Sequence, residues 1–462
     1  QLVNTGLVTA NNAEGTGGLI TASAGSIVNT GTLSADGGGA NGSGGVIRLD
    51  AGERIEHAGS IRANASTEGV GQGGSVILMA SLHNPQSTLA FTGSLAAQAG
   101  RLGGDGGFIE TSASQVNIGE AARVSTAAAK GLTGNWLIDP NDFTIAASGG
   151  NITGILLGSQ LATSGVTIST ATQGTAGGNG DIFVLDPISW ASSNRLTLRA
   201  GRNIFIDQPI SATASSGSLA LEFGQLSLAT GNLAFYSLDA SVNLQAGGNF
   251  STKRGSDGFT NYFTVITTLG AAGSTTTTDL QGIGGGLSGR YALGANIDAA
   301  PTSSWNSGAG FMPIGGLGLP FTGTFDGLGH FINNLIINRP ATDYVGLFGA
   351  TGADSKIRNV ALVGASVSGV NYVGGLAGFN NGTISNSYVS GSVTGNNYVG
   401  GLAGFNDSFA TISDSLAVGN GTGNSYVGGL AGFNSGTISN SDAIGSLTGN
   451  SYVDGLAGFN SG

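Results

Sequence analysis

Tyr372-Val-Gly-Gly-Leu-Ala-Gly-Phe-Asn380 is a segment that returns three more times along the chain, and it decides the fold. Its copies follow at spacings of 26, 28 and 26 residues and begin at Tyr398, Tyr426 and Tyr452. The last copy carries Asp454 in place of a glycine, and a shorter relative occupies residues 344–349. Repeats of about 20–50 residues are typical of solenoids, because one unit buries its apolar face only against a stacked neighbour.

The repeats are predicted to be strands rather than helices. A glycine inside a helix costs about 1 kcal/mol relative to alanine, and each repeat contains glycine pairs. The residues between the glycines alternate and are rich in β-branched side chains, as in strands. Three strand-like pieces occur in each unit: residues 372–380, 383–388 and 392–394. Three strands and three corners per unit predict an elongated, right-handed parallel β-helix.

Stacked turns place equivalent residues above one another at a spacing of about 4.8 Å. We therefore expect an internal aromatic ladder, an internal aliphatic ladder and a ladder of asparagines at a corner, where asparagine tolerates left-handed backbone. The predicted ladder residues are Phe379, Phe405, Phe433 and Phe459; Leu376, Leu402, Leu430 and Leu456; and Asn380, Asn406, Asn434 and Asn460.

The first part of the chain repeats more loosely. A Gly-Gly pair followed by an apolar strand begins at Gly17, Gly44, Gly73 and Gly106. We predict repeats over residues 1–145, a continuing β-helix over 146–250, and an irregular segment or insertion over 251–340. The Tyr-Val-Gly-Gly-type repeats then occupy 341–462 and are expected to be cut at Gly462, within a longer molecule.

Composition excludes several classes of protein. Only 9% of residues are charged and 40% are hydrophobic, so the chain can bury a core beneath a largely uncharged surface. The net charge of −11 and the lack of a basic cluster argue against nucleic acid as a partner. Cysteine is absent, which excludes a disulfide framework, and no apolar run is long enough to predict a membrane span.

Three stretches resemble known families. Gly106-Gly-Phe-Ile-Glu-Thr-Ser112, followed by the Trp-Leu-Ile-Asp-Pro string at residues 136–140, resembles filamentous haemagglutinin and the high-molecular-weight adhesins of two-partner secretion. The C-terminal units are similar to the Gly-Leu-x-Gly (GLUG-type) repeats of bacterial surface proteins. Residues 321–332 are similar to the segment that commonly precedes such repeats.

The resemblance implies haemagglutinin-type β-helix repeats over residues 1–145. It also implies export through an outer-membrane two-partner secretion transporter to the surface of a Gram-negative bacterium, with adhesive or biofilm roles in virulence. The amino-terminal secretion domain of the family is absent from this sequence. The export route is therefore implied by the relatives alone.

Few residues are candidates for chemistry. No zinc-site spacing connects the three histidines, which are His57, His83 and His330. The nearest approach to an acidic cluster consists of Asp181, Asp186 and Asp207, whose spacings do not match one turn. Trp136 is expected to fill the core rather than to recognise a ligand. We predict no catalytic, cofactor-binding or metal-binding residues and no cofactor.

These features favour a secreted adhesin stalk, not an enzyme, that attaches cells to one another, to a host or to a matrix polymer. Its ligand residues are unknown, and neutral outer rows within 381–451, including Tyr388, are the candidates for glycan contact. Two alternatives stay open. One is a β-helix enzyme that acts on polysaccharide, and the other is a passive stalk of a contact-dependent toxin delivery protein.

Overall fold

Parallel β-strands form most of the regular structure in the computed structural model, which describes residues 1–170 and 178–462. The all-β parallel solenoid predicted from the sequence is confirmed, with about 16 turns in the described part of the chain. The segment predicted to continue the β-helix, 146–250, includes residues 171–177, which lie outside the described residues.

The chain divides into two compact units. Unit 1 comprises Gln1–Ala240 and Ser251–Asn261, and unit 2 comprises Ser241–Phe250 and Tyr262–Gly462. Two strands, Gly247–Arg254 and Asn261–Ile266, contain residues of both units.

Unit 1 has short strands and one described α-helix, Gly154–Gln160. Its strands are Leu2–Asn4, Leu7–Thr9, Leu19–Asn29, Thr32–Ser34, Val46–His57, Ser60–Arg62, Ser75–Ala80, Thr88–Phe91, Ser94–Ala96, Phe108–Ser112, Gln115–Ile118, Arg123–Ser125, Asn135–Asp139, Phe143–Ile145, Gly165–Ser169, Ile182–Val184, Ile188–Trp190, Arg195–Arg199, Ile204–Ile206, Ile210–Ala212, Ser218–Phe223 and Tyr236–Leu238.

Unit 2 has two 3-10 segments, Gln281–Gly285 and Ala300–Gly308, and a second series of short strands. These strands are Val242–Asn243, Arg290–Leu293, Ile297–Asp298, Thr324–Asp326, Phe331–Asn333, Ile336–Asn338, Phe348–Ala350, Lys356–Arg358, Ala361–Ser368, Asn371–Gly374, Ala377–Asn380, Thr383–Ser385, Tyr388–Thr394, Asn397–Gly400, Ala403–Asn406, Thr411–Ser413, Leu416–Thr422, Ser425–Gly428, Ala431–Asn434, Thr437–Ser439, Asp442–Ile444, Leu447–Thr448, Ser451–Asp454 and Ala457–Asn460.

An inward-facing column of apolar side chains runs through unit 1, because its strands pair in register. Each member is paired directly with the next, and all are buried: Ile47, Val76, Ile109, Trp136, Val166, Leu196 and Leu219. Trp136 fills the core, and its Nε1–H donates to Thr111 Oγ1 at 3.0 Å. The larger ring therefore occupies an aliphatic column without leaving its polar atom unpaired.

A second inward column of unit 1 is polar at one end and aromatic at the other. Asn4 Nδ2 donates to Asn29 Oδ1 at 2.7 Å, and Asn29 Nδ2 lies 3.0 Å from His57 Nδ1. The His57 ring then stacks on Phe91, with ring centroids 5.5 Å apart. His57 Nε2 lies 3.2 Å from the Ser94 carbonyl oxygen. A neutral ring protonated at Nε2 satisfies both contacts, and burial lowers the pKa of His57 below its usual value.

The segment predicted to be irregular, 251–340, contains both 3-10 segments. In the second, Trp305 has extended backbone while Asn306 and Ser307 are left-handed, so the segment is broken in the middle. The Trp305 ring packs against Phe311, with centroids 6.4 Å apart. His330 is also buried in this region, and its Nε2 lies 3.0 Å from the Val242 carbonyl oxygen.

We predict that acid destabilises the chain through His57. Its pKa is lowered in the folded state, so as pH falls below about 6.5 the unfolded chain takes up a proton first. The free energy of unfolding should then fall by up to about 1.4 kcal/mol per pH unit, until the folded pKa is passed. Urea unfolding between pH 7.5 and 5 measures this slope.

The variant His57→Asn should show a smaller slope, because an amide can continue the Asn4–Asn29 row without titrating. His83 is exposed and provides the matched control. His83→Asn should keep the wild-type slope. Equal slopes in wild type and His57→Asn would contradict the assignment of this pH dependence to His57.

Candidate functional site

The four copies of the nine-residue segment lie in register in unit 2. Strand Ala377–Asn380 pairs with Ala403–Asn406, which pairs with Ala431–Asn434 and then with Ala457–Asn460. Each residue of one copy therefore lies beside its equivalent in the next. The residues that the sequence placed in ladders are aligned, and their burial decides which of them face the core.

The leucine row lies in the core. Leu376, Leu402 and Leu430 are fully buried, and Leu456 in the last turn is 39% exposed. The three buried leucines belong to one apolar cluster with Val373, Val399 and Val427. This row has the inward direction that the sequence predicted.

The asparagine row is hydrogen-bonded along the stack, and its first three members are buried while Asn460 in the last turn is exposed. Asn380 Nδ2 donates to Asn406 Oδ1 at 2.8 Å, and Asn406 Nδ2 donates to Asn434 Oδ1 at 2.7 Å. Asn434 Nδ2 continues the row to Asn460 Oδ1, also at 2.7 Å. At the other end, Thr351 Oγ1 donates to Asn380 Oδ1 at 2.9 Å. Each buried amide therefore has partners, which removes most of the cost of desolvating it.

The phenylalanine row is stacked, but it is not internal as predicted. The ring centroids of Phe379 and Phe405 are 5.3 Å apart. Those of Phe405 and Phe433 are 4.9 Å apart, and those of Phe433 and Phe459 are 5.0 Å apart. The first three rings are half-buried, and Phe459 is 38% exposed. Successive side chains of a strand point to opposite faces, and Asn380 occupies the inward position. Phe379 is therefore directed to the outer side.

The nine-residue segment forms two strands, where the sequence pattern predicts one. Asn371–Gly374 and Ala377–Asn380 fold against each other around Leu376, so the turn contains four strands rather than three. A Cβ atom at Gly374 would lie 2.2 Å from the Ala377 carbonyl oxygen, and one at Gly404 would lie 2.4 Å from Val373 N. The two backbones approach too closely for any residue but glycine.

A row of tyrosines, which the sequence analysis missed, flanks the phenylalanines. Neighbouring rings are nearly parallel, with centroids 4.7 to 4.8 Å apart, along Tyr344, Tyr372, Tyr398, Tyr426 and Tyr452. All five have left-handed backbone, with φ between 53° and 59°. This conformation costs a non-glycine residue roughly 1–2 kcal/mol. The signal in the sequence was the tyrosine that opens every copy.

The two rows form one surface, which we call the aromatic stripe: Tyr344, Tyr372, Tyr398, Tyr426, Tyr452, Phe379, Phe405, Phe433 and Phe459. The rows meet edge to face, as in Tyr372 with Phe405 at 6.0 Å and Tyr398 with Phe433 at 6.0 Å. Ring faces within each row are covered by their neighbours. The exposed part of the stripe therefore consists mainly of ring edges and phenolic hydroxyls.

Uncharged hydroxyl rows cover another outer face of the same turns. Thr383, Thr411 and Thr437 pair in register, and Ser385 continues in the same way to Ser413 and Ser439. Tyr388, a predicted glycan contact, pairs instead with Leu416, which pairs with Asp442. It therefore stands alone rather than in a row.

The carboxylates considered for an enzyme have separate structural surroundings. Asp181 is buried and forms an ion pair with Arg202. Asp186 Oδ2 accepts a hydrogen bond from the Gly154 backbone at 2.7 Å, at the start of the helix. Burial, and then the neighbouring carboxylate Asp239, raises the pKa of Asp207. The described residues contain no group of three or more His, Cys, Asp or Glu side chains placed to hold a metal ion.

We predict that the leucine row contributes more to stability than the phenylalanine row. Leu402→Ala should cost about 2–5 kcal/mol, because it leaves a cavity in a closed core. Phe405→Ala should cost about 1–2 kcal/mol, because its ring is only partly buried and loses mainly stacking contacts. Urea denaturation of the two variants provides the comparison. A larger loss for Phe405→Ala would contradict the outward direction of the ring.

The amide row gives a second stability prediction. Asn406→Ala leaves Asn434 Oδ1 without its donor in the core and leaves Asn380 Nδ2 with only its 3.3 Å bond to the Gly382 carbonyl, at a cost of about 3 kcal/mol. Asn396→Ala is the matched control, since Asn396 is exposed in a neighbouring turn, and it should change stability by less than about 0.5 kcal/mol. The measurement is the midpoint of chemical unfolding. Equal effects of the two substitutions would show that the buried amide row adds no stability.

Comparison with known proteins agrees with the C-terminal repeats. The family model of the GLUG motif matches residues 369–394, the turn that contains the segment 372–380. The chain is 47% identical over 116 residues to halomucin of Haloquadratum walsbyi. The aligned segment covers 23% of this chain and 1% of halomucin. It is 40% identical over 82 residues to a putative Gly-rich membrane protein of Evansella cellulosilytica. This aligned segment covers 17% of this chain and 10% of that protein.

The matches to halomucin and to the Gly-rich membrane protein span only a small part of either protein. No solved structure matches the chain. Among the described residues, no helix is both long and apolar enough to cross a membrane. The chain contains a GLUG motif and is similar in part to these two proteins. The resemblance to filamentous haemagglutinin and to two-partner secretion proteins stays a prediction.

Proposed function

We propose that the chain is part of a repetitive stalk on a cell surface, and that it attaches cells to one another, to a host or to a matrix polymer through many weak contacts. The observation that carries the proposal is the set of in-register outer rows. The threonine row 383, 411 and 437 presents the same group in three successive turns, and the tyrosine row of the aromatic stripe does so in five.

Repetition and low charge support this proposal. A row offers several equivalent sites at a fixed spacing, and linked weak sites can gain about 10²- to 10⁴-fold in overall affinity without new contacts. Residues 359–406 contain no charged residue, so contacts there depend on neutral hydrogen bonds and apolar surface. Each turn of a solenoid contacts mainly its neighbours, so turns can be added without a new core.

The proposal includes a location and a role. The chain would act outside a Gram-negative cell, exported by an outer-membrane two-partner secretion transporter as the haemagglutinin resemblance implies. It would act without catalysis, as an adhesive surface and not as a polysaccharide-cleaving enzyme. The GLUG match and the partial similarity to halomucin and to a Gly-rich membrane protein are compatible with a surface stalk.

We predict that attachment depends on valency. The biotinylated chain, presented singly or as a streptavidin tetramer, is tested on glycan arrays, matrix polymers and bacterial cells. The tetramer should bind and the single chain should bind poorly, and binding should persist at high salt because the rows are neutral. The triple substitution Thr383→Ala, Thr411→Ala and Thr437→Ala should weaken tetramer binding if this row contributes.

Thr302→Ser is the control, because Thr302 is buried, does not belong to the outer rows and keeps its hydroxyl in this substitution. Tight binding by the single chain, or binding abolished by modest salt, would contradict the proposal. Release of new reducing ends from a polysaccharide would support the enzymatic alternative instead.

A further inference from the structure

The aromatic stripe is an apolar outer feature of the GLUG-type turns, and its phenolic hydroxyls have no partner among the described residues. None of its five tyrosine hydroxyls forms a hydrogen bond within the described part of the chain. Burial, and then the neighbouring Tyr344, Tyr398 and Asp343, raises the pKa of Tyr372. The Tyr372 hydroxyl therefore stays protonated at neutral pH, and each phenolic hydroxyl of the row can donate and accept a hydrogen bond.

The spacing of the stripe restricts what can bind along its whole length. Its tyrosine rings repeat at 4.7 to 4.8 Å, which is the spacing between paired β-strands. A partner with another repeat would fall out of step with the rings after a few turns. Sugar rings would need exposed aromatic faces, and the faces inside the rows are covered by neighbouring rings. A second β-solenoid of the same sequence has both the required repeat and the required edges.

Charge does not prevent two copies from meeting at this surface. The whole chain carries a net charge of −11, which opposes self-association in general. The position before the tyrosine is Asp343 in the first turn and the uncharged Asn371, Asn397, Ser425 and Ser451 in the next four. Their side chains are hydrogen-bonded along the stack, as in Asn397 Nδ2 to Asn371 Oδ1 at 2.9 Å. The flank beside the tyrosines is therefore ordered, and beyond Asp343 it is neutral.

We propose that the aromatic stripe pairs with the stripe of a second copy of this chain, through a two-fold, self-complementary contact. The exposed ring edges of one copy pack against the exposed ring edges of the other, and the tyrosine hydroxyls bond across the contact. This inference rests on the proposed function and names one partner for it. The partner is the same protein on a neighbouring stalk.

The size of the stripe predicts a weak contact. If each ring contributes roughly 40–60 Å², the stripe offers on the order of 400–500 Å² per copy. A stable interface buries about 800 Å² per partner, so a single pair of stripes should dissociate readily. Pairing would become strong only when several copies are displayed together.

Sedimentation velocity of the full chain across a range of concentrations tests the pairing. The wild type should show a concentration-dependent rise in sedimentation coefficient toward a dimer, and the rise should persist or grow with added salt as like charges are screened. The triple variant Tyr372→Asn, Tyr398→Asn and Tyr426→Asn should weaken dimerisation by at least about tenfold. Asparagine tolerates left-handed backbone, so these substitutions remove the rings at positions where the fold accepts them.

Tyr388→Asn is the matched control, because it removes a half-buried tyrosine that lies in no row, and it should leave dimerisation unchanged. Circular dichroism and resistance to proteolysis establish that each variant is folded. If the triple asparagine variant unfolds, the experiment uses phenylalanine at the same three positions instead. These substitutions keep the stacked rings and remove three hydroxyls, and they should also weaken the dimer.

A folded wild type that stays monomeric at every concentration would overturn the inference, and so would equal dimerisation of wild type and the folded stripe variant. The adhesion assay separates the two proposals. A stripe variant that no longer pairs but still binds matrix polymer as a tetramer supports self-pairing and leaves the proposed function intact. A wild-type tetramer that binds none of the glycans, matrix polymers or cells would contradict the proposed function itself.

Discussion

In-register pairing of parallel strands, one turn above the next, is the constraint on which the rest of the structure depends. It places each residue beside its equivalent about 4.8 Å away, so the side chain chosen for one turn must also be acceptable to its neighbours. Large flat rings satisfy this by stacking, amides by bonding to one another, and aliphatic side chains by filling a continuous core. The chain uses all three solutions in the same turns of unit 2.

The buried polar rows make the register specific as well as stable. A shift of one residue would exchange Asn380 with Phe379, leaving an aromatic ring in the space of an amide and an amide directed outward. The cost of an unpaired buried amide then opposes the shift, whereas an all-aliphatic strand would tolerate it better. In unit 1 the row from Asn4 through Asn29 to His57 has the same character, with a titratable ring at its end.

The outer surface follows from the same constraint. Since every turn repeats its side chains, a single exposed tyrosine in the repeat becomes a continuous row, and a single threonine becomes a line of hydroxyls. The left-handed backbone of the tyrosines is offset by stacking between neighbours, which an isolated turn would lack. A surface of this kind is suited to partners that are themselves repetitive, and its low charge leaves shape and spacing to select them.

The sequence by itself determined the strand content, the repeat of about 26 residues and the positions that align between turns, because these depend only on composition and periodicity. It also determined that Leu402 faces the core. Only the tertiary structure decided that Phe405 lies outside and Asn406 inside, since alternation places neighbours on opposite faces without stating which face is buried. The tertiary structure also decided that residues 372–380 divide into two strands, which produces the tyrosine row. This division depends on the close approach of the Gly404 backbone to Val373, and that approach is a contact between turns.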